Sequence, residues 1–311
     1  MRLLDVVAVG ELNPDLILDG VTGLPRLGRE ILADRATFTL GSSTALCAAN
    51  LVALGLRVGI VGKVGEDLFG DFILQSLRER GIDASRVIRD PAVRTGVTVS
   101  LAYPEDRAMI TFLGAMASLR ADEVDLASVG EARHLHVSSF FLQHDLQPGC
   151  AALFQAAKER GLTTSLDPGW DPAERWDAGI AGLYPWLDVL FVNQAEASAL
   201  GGNAEWRKAA DSLAGQVSTV VVKQGRDGAG AMYFGTWHEH PGFPVEAVDP
   251  TGAGDAFNAG FLFGRLSGLQ PRLCLRWGNA CGALTAGHRG GSGAFSNRAD
   301  VEAFIRSQAR A

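Results

Sequence analysis

The chain has 311 residues, 47% hydrophobic and 20% charged, which is material for one large α/β domain or two smaller ones and excludes a disordered chain. Against 35 Asp and Glu stand 28 Lys and Arg, a net charge of −7, so the whole molecule offers no electrostatic reason to bind nucleic acid, although a local pocket can still be positive. Cys47, Cys150, Cys274 and Cys281 are far apart without a C-x-x-C pair and read as buried free thiols. With no signal-peptide pattern and no apolar stretch of about 18 residues, no membrane span is expected and the predicted location is cytoplasmic.

Residues 5–10 are a short apolar run ending in glycine and predict a buried strand. A polar segment punctuated by Gly and Pro runs from 13 to about 37. Ser42, Ser43 and Thr44 can cap a helix over 45–54, with Gly55 as its stop. A strand over 57–61 and an amphipathic helix over 69–80 follow. Residues 93–103 and 108–112 are rich in Thr, Val and Ile around a polar turn at 104–107, a hairpin pattern. It interrupts the βα rhythm and predicts a small β-rich lid assembled from about 12–38 and 92–114.

Beyond Leu119 the alternation is regular. Strands are predicted at 134–138, 163–167, 189–192, 219–223 and 229–234, with helices at 148–160, 195–200, 204–214, 254–266, 273–287 and 298–309. That alternation implies a mostly parallel central sheet covered on both faces, a three-layer α/β/α domain spanning 1–311 with the lid inserted. Asp167, Asn193, Lys223 and Asp249 fall where predicted strands end. Each alone reads as a solvated loop residue, but in open α/β sheets that edge is where ligands bind, so the four can share one cleft.

The segment 249–260 (D-P-T-G-A-G-D-A-F-N-A-G) carries the chemistry. Small residues at Gly252, Ala253 and Gly254 let a ligand approach the backbone, and a helix begins at once. Its first N–H groups and the positive end of its dipole make an anion site, with the Asp255 carboxylate in the first turn. The pairing suits phosphoryl transfer: amides for the transferred group, a carboxylate for the proton of an attacking hydroxyl. The plainer alternative is a tight turn whose aspartate complements the helix dipole.

Residues 248–262 resemble the second signature of the ribokinase, or pfkB, family of carbohydrate kinases, D-T-x-G-A-G-D, here D-P-T-G-A-G-D. The resemblance extends over essentially the whole chain. It implies the ribokinase-like fold, ATP and Mg²⁺ as cofactors, Asp255 as base and Gly252, Ala253 and Gly254 as anion hole, with Thr251 beside the nucleotide. In Gly10-Glu11-Leu12-Asn13-Pro14-Asp15 it makes Asn13 and Asp15 the partners of sugar hydroxyls. Gly41, Ser42 and Ser43 resemble the start of the first signature and Asn193-Gln194-Ala195-Glu196 its N-x-x-E motif, serving Mg²⁺ through water and phosphate. Lys223 and Gly225 would flank the nucleotide and Asn279 would contact adenine. Asp249, Gly291 and Ser296 would belong to a monovalent-cation loop for K⁺.

Two departures concern substrate. The first signature begins G-S rather than G-G, with Leu46 where relatives carry Asn. The D-x-N-x-R run that often follows the central strand is Asp167-Pro168-Gly169-Trp170-Asp171, which lacks the Asn and the Arg and weighs against an anionic sugar. Asp167 is still expected on the substrate side, and Arg107 is the foremost lid arginine to reach an anionic group. His134 with His136, and His238 with His240 in a polar turn, read as packed or exposed pairs rather than metal ligands. Gly225–Gly230 reads as a tight turn and not a Walker loop. Trp170 can stack on a sugar. The function expected is ATP-dependent phosphorylation of a sugar hydroxyl, with a nucleoside kinase or a non-catalytic sugar sensor as alternatives and a homodimer through lid strands as a plausible assembly.

Overall fold

The computed structural model describes residues 3–103, 107–288 and 293–308. In chain order the elements are β1 (Val6–Val9), β2 (Pro14–Asp19), β3 (Arg35–Leu40), α1 (Ser43–Ala53), β4 (Val58–Val61), β5 (Lys63–Gly65), α2 (Leu68–Glu79), β6 (Ile88–Asp90), β7 (Val97–Ala102) and β8 (Arg107–Phe112). They continue with α3 (Leu126–Val129), β9 (His134–Ser138), α4 (Gln147–Glu159), β10 (Thr163–Asp167), β11 (Val189–Asn193), α5 (Gln194–Leu200) and α6 (Trp206–Ala214). The chain ends through β12 (Thr219–Lys223), β13 (Gly228–Tyr233), β14 (Thr236–Pro241), α7 (Ala253–Leu266), α8 (Pro271–Ala286) and α9 (Arg298–Gln308).

The central sheet has the order β14-β13-β12-β11-β10-β9-β1-β4. It is parallel from β12 to β4, with β13 and β14 added as an antiparallel edge. Successive residues of a strand face opposite sides, and the two cores divide accordingly. Val6 and Ala8 of β1, with Val189 and Phe191 of β11, pack under α1, α2, α7, α8 and α9. Val7 and Val9, with Leu190 and Val192, pack under α4, α5 and α6. This two-sided burial is why those strands read as continuous apolar runs.

A separate four-stranded sheet, β3-β2-β7-β8, stands over one end of the central one. Alternation along β7 and β8 turns Thr98, Ser100, Arg107, Met109 and Thr111 to the cavity described below and leaves Ile110 and Phe112 of β8 exposed. Arg107 opens strand β8 rather than lying in the hairpin turn, of which 104–106 lie outside the described residues.

Two further expectations need correction. His238 and His240 lie on β14, not in a turn. This edge strand is too polar to announce itself, because one side is solvated. β5 and β6, three residues each, pair in parallel where no strand was predicted; their brevity hid them. His134 and His136 are fully buried and satisfied within a ladder of hydroxyls: Thr163 and Ser165 on His134 at 2.7 Å each, Ser165 and Ser138 on His136 at 2.7 and 2.9 Å. All four cysteines are free and buried. Among the described residues no helix is long and apolar enough to cross a membrane.

Candidate active site

A cavity of about 1330 Å³ opens between the four-stranded sheet and the carboxyl ends of β1, β9 and β10, where an open α/β sheet presents its loops. Of the sequence-predicted residues, Asn13, Asp15, Ser42, Ser43, Arg107, Thr251, Gly252 and Asp255 line it. Gly41 lies just behind: a Cβ there would sit 2.1 Å from Asp15 Oδ1 and 2.9 Å from Asn13 Nδ2, so only glycine lets both polar side chains pack on its backbone.

Helix α7 begins at the cavity. Gly252, at its N-cap, has φ +70°, the left-handed region that glycine occupies without strain, and no side chain caps the helix. The Ala253 N–H donates to the Pro250 carbonyl at 3.2 Å, within the turn. The next two, Gly254 and Asp255, donate to no acceptor among the described residues. Asp255 borders the cavity, and burial pushes its carboxyl well above the usual carboxylate range. Repulsion from Asp167 and Glu11 adds to that, against Lys223 and a hydrogen bond from Ser43.

Below this floor the charges are dense. Lys223 Nζ meets Asp167 Oδ2 at 2.7 Å, and Asn258 Nδ2 donates to the same oxygen at 2.6 Å. The Gly169 N–H donates to Asp167 Oδ1 at 3.0 Å. Asp167 does not line the cavity; its oxygens hold Lys223 and α7 in place. Burial would raise its carboxyl, but Lys223 and these hydrogen bonds outweigh burial and hold it low. Glu196 forms a reciprocal cap with Asn193: the Asn193 N–H donates to Oε2 at 2.8 Å and the Glu196 N–H to Asn193 Oδ1 at 2.9 Å. Burial raises the Glu196 carboxyl; Lys223 opposes, Asp167 adds. Three carboxylates thus face the one ammonium of Lys223, a set that favours an additional cation.

At the opposite wall, Asn13 Nδ2 donates to Asp15 Oδ1 at 2.9 Å and to Thr98 Oγ1 at 3.3 Å. Burial lifts the Asp15 carboxyl to about 7, against Arg107 and Asn13. Arg107 Nη1 donates to Thr251 Oγ1 at 2.8 Å, joining β8 to the turn before α7 across the cavity. Ser42 has φ +68°. The left-handed backbone explains why glycine is common at this signature position, and the serine is held by its hydroxyl donating to the Glu11 carbonyl.

Glu11 was not singled out in the sequence, yet it ties the wall together. It accepts from the Ser43 N–H and Thr44 Oγ1 at 2.7 Å each and from Ser139 Oγ at 3.0 Å. Asn258 was also missed, although it lies three residues beyond Asp255 on the same helix. Asn279 Nδ2 donates to the carbonyls of His240 and Pro241, at 2.9 and 3.1 Å, and ties α8 to β14. Gly225, at φ +58°, turns the chain between β12 and β13. Asp249 Oδ1 accepts the Thr251 N–H at 2.9 Å, and the Ser296 N–H donates to Asp300 at 2.8 Å; Gly291 lies outside the described residues. No three His, Cys, Asp or Glu side chains form a metal cage among the described residues.

The model of the pfkB family carbohydrate kinases matches residues 3–298. The chain belongs to this family. Among curated relatives, the ATP-dependent ribose-1-phosphate kinase of Halopiger xanaduensis is 34% identical over 96% of this chain and 97% of its own. The 2-dehydro-3-deoxygluconokinase of Bacillus subtilis is 31% identical over 89% and 90%. Among solved structures, the ribokinase of Thermotoga maritima superposes with a TM-score of 0.84 at 26% identity, covering 98% of this chain and all of its own. An E. coli protein described as ribokinase II, in complex with ATP and Mg²⁺, gives 0.86 at 25% over the same shares. The fold is ribokinase-like, and the pfkB chain is a carbohydrate kinase.

Proposed function

We propose that this pfkB kinase transfers the γ-phosphoryl group of ATP to a hydroxyl of a small sugar bound in the cavity, with Asp255 as the base. The observation that carries the reading is the placement of one carboxylate beside two unengaged backbone donors, Gly254 and Asp255, where α7 meets the cavity. These N–H groups stabilise negative charge on the group in transfer and need no reorganisation to do so. The raised Asp255 carboxyl favours taking a proton from the attacking oxygen as it bonds to phosphorus.

On this reading Asn13 and Asp15 orient the sugar through its hydroxyls, and the four-stranded sheet closes as a lid, with the Arg107–Thr251 hydrogen bond as its contact to the floor. Nucleotide phosphates fit at the bare turn 252–254, where a Cβ added to Gly254 would meet only Lys223 Nζ, at 3.6 Å. The surplus of carboxylate around Lys223 fits Mg²⁺ held through water at Glu196. When bound, that cation neutralises charge on the phosphates.

Asp255→Asn keeps the shape and removes the base. ADP release against a panel of sugars should fall by about 10²–10⁴-fold, with an unchanged melting temperature. Turnover within a few-fold of the parent would remove this mechanism. The relatives named above act on a sugar phosphate and a sugar acid, so kinship alone does not select the sugar.

A further inference from the structure

The loop after β10 contains an arrangement that the phosphoryl-transfer chemistry does not use. Glu174, Trp176 and Ala178 have φ of +51°, +55° and +53°, three left-handed non-glycine residues within five positions. Each such residue costs about 1 kcal/mol or more and persists only where its surroundings enforce it. Here the enforcement is visible. The buried Asp171 carboxylate accepts the Ala173 N–H at 2.9 Å on Oδ1, and the Arg175 and Trp176 N–H groups at 2.8 and 2.7 Å on Oδ2. Trp176 is wedged edge-on between Phe141 and Trp170, at 5.6 and 4.9 Å between ring centroids.

What this clamp presents is Arg175. Its side chain is exposed and borders the same cavity as Asp255. Among the described residues its guanidinium has no hydrogen-bond or ion-pair partner. The nearby Asp171 carboxylate feels the Arg175 charge, which helps hold it low, but no hydrogen bond or ion pair joins the two side chains, and both Asp171 oxygens accept backbone N–H groups. Asp177 Oδ1 accepts the Gly179 N–H. The other arginine of the cavity, Arg107, is engaged by Thr251. The sequence reading against an anionic sugar rested on the D-x-N-x-R run, where an aspartate at 171 replaces the arginine of many relatives. That aspartate folds the loop so that an arginine four residues later reaches the cavity.

We infer that Arg175 is a specificity-determining residue that binds a fixed anionic group, phosphate or carboxylate, on the sugar, and that the substrate of this kinase is an anionic sugar rather than a neutral one. Planar guanidinium and tetrahedral or planar oxyanions match as bidentate partners. The inference rests on the kinase reading for what happens to the bound sugar, but binding tests it independently.

The test is calorimetric titration of the full chain with ribose, ribose 1-phosphate and gluconate, repeated with Arg175→Ala and Arg175→Lys, with ADP release measured in parallel. At least one anion should bind about 10- to 100-fold more tightly than ribose, and which one identifies phosphate or carboxylate as the group read. Arg175→Ala should shrink that gap to within about threefold at an unchanged melting temperature, and Arg175→Lys should fall between. Equal affinities in the parent, or a gap that survives Arg175→Ala, overturn the inference. ADP release that needs Asp255 without any such gap sinks the anion subsite alone. Tight, Arg175-dependent binding with no ADP release from any sugar sinks the kinase reading and leaves the subsite standing.

Discussion

The floor and the roof of the cavity are built on opposite principles. The floor, at the ends of β10, β11 and β12 and the start of α7, packs Asp167, Glu196 and Asp255 around Lys223 in a buried cluster joined by direct hydrogen bonds and an ion pair. The roof is a thin sheet with solvent on its outer side, joined to the turn before α7 by Arg107 and Thr251. In the floor, charge is fixed before any ligand arrives, which is what an electrostatic catalyst needs. In the roof a part-buried contact can break and re-form at little cost, which suits admission of a substrate. Substitutions that strand a charge in the floor should therefore damage folding as well as turnover, the isosteric Asp255→Asn excepted, and substitutions in the roof turnover alone.

Lys223→Met tests the first half and carries the largest expected effect. Removing one partner of a buried pair leaves uncompensated charge, a loss of about 3–5 kcal/mol. Urea unfolding should show a midpoint lowered to match. The double variant Lys223→Met, Asp167→Leu should recover part of that loss, since the carboxylate in direct contact with Lys223 is then no longer stranded, while Glu196 and Asp255 remain. A single variant as stable as the parent would mean that the cluster is not a cooperative unit, and the contrast between floor and roof would collapse.

Arg107→Ala and Thr251→Val test the second half. Each removes the same hydrogen bond, so each should lower kcat/KM by about tenfold, and the double variant should be little worse than either one. Melting temperatures should stay within a few degrees of the parent, as for a solvent-accessible contact. Additive losses in the double variant would show that the two residues act separately and that the contact across the cavity is not the functional link.

The same contrast governs what could be read from the sequence. The floor announces itself: strands buried on both faces are unbroken apolar runs, and glycines crowded before Asp255 mark a helix start that a ligand can approach. Lys223 and Asp167 were visible as strand-end polar residues, but their mutual contact was not. Parallel strands two places apart in the sheet lie 56 residues apart in sequence, and nothing local reports the pairing. Two strands of the roof were legible as a Thr- and Val-rich hairpin, yet β3 and the start of β8 at Arg107 were blurred, because a one-layer sheet has no strong alternation to separate it from a loop. The partners of Asn279 were hidden for another reason: the backbone carbonyls its amide meets belong to β14, a strand the sequence concealed.

The smallest expected effect lies where roof and floor meet. Burial holds the Asp15 carboxyl at about 7 in the folded protein, while in the unfolded chain it titrates near 3.9. Between about pH 4 and 7 the folded state keeps a proton that the unfolded state has lost, so this residue's contribution to stability falls as pH rises through that window. Above it the penalty of a buried, ionised carboxylate is complete. Asp15→Asn removes the titration but keeps an acceptor for Asn13. Its melting temperature should match the parent's near pH 4 and exceed it by a few degrees at pH 8, while affinity for the sugar declines. Glu11 and Asp255 are raised in the same sense, so the variant should retain part of the slope. Parallel profiles for parent and variant would mean that water reaches Asp15 freely, and the wall of the cavity would then be as open as its roof.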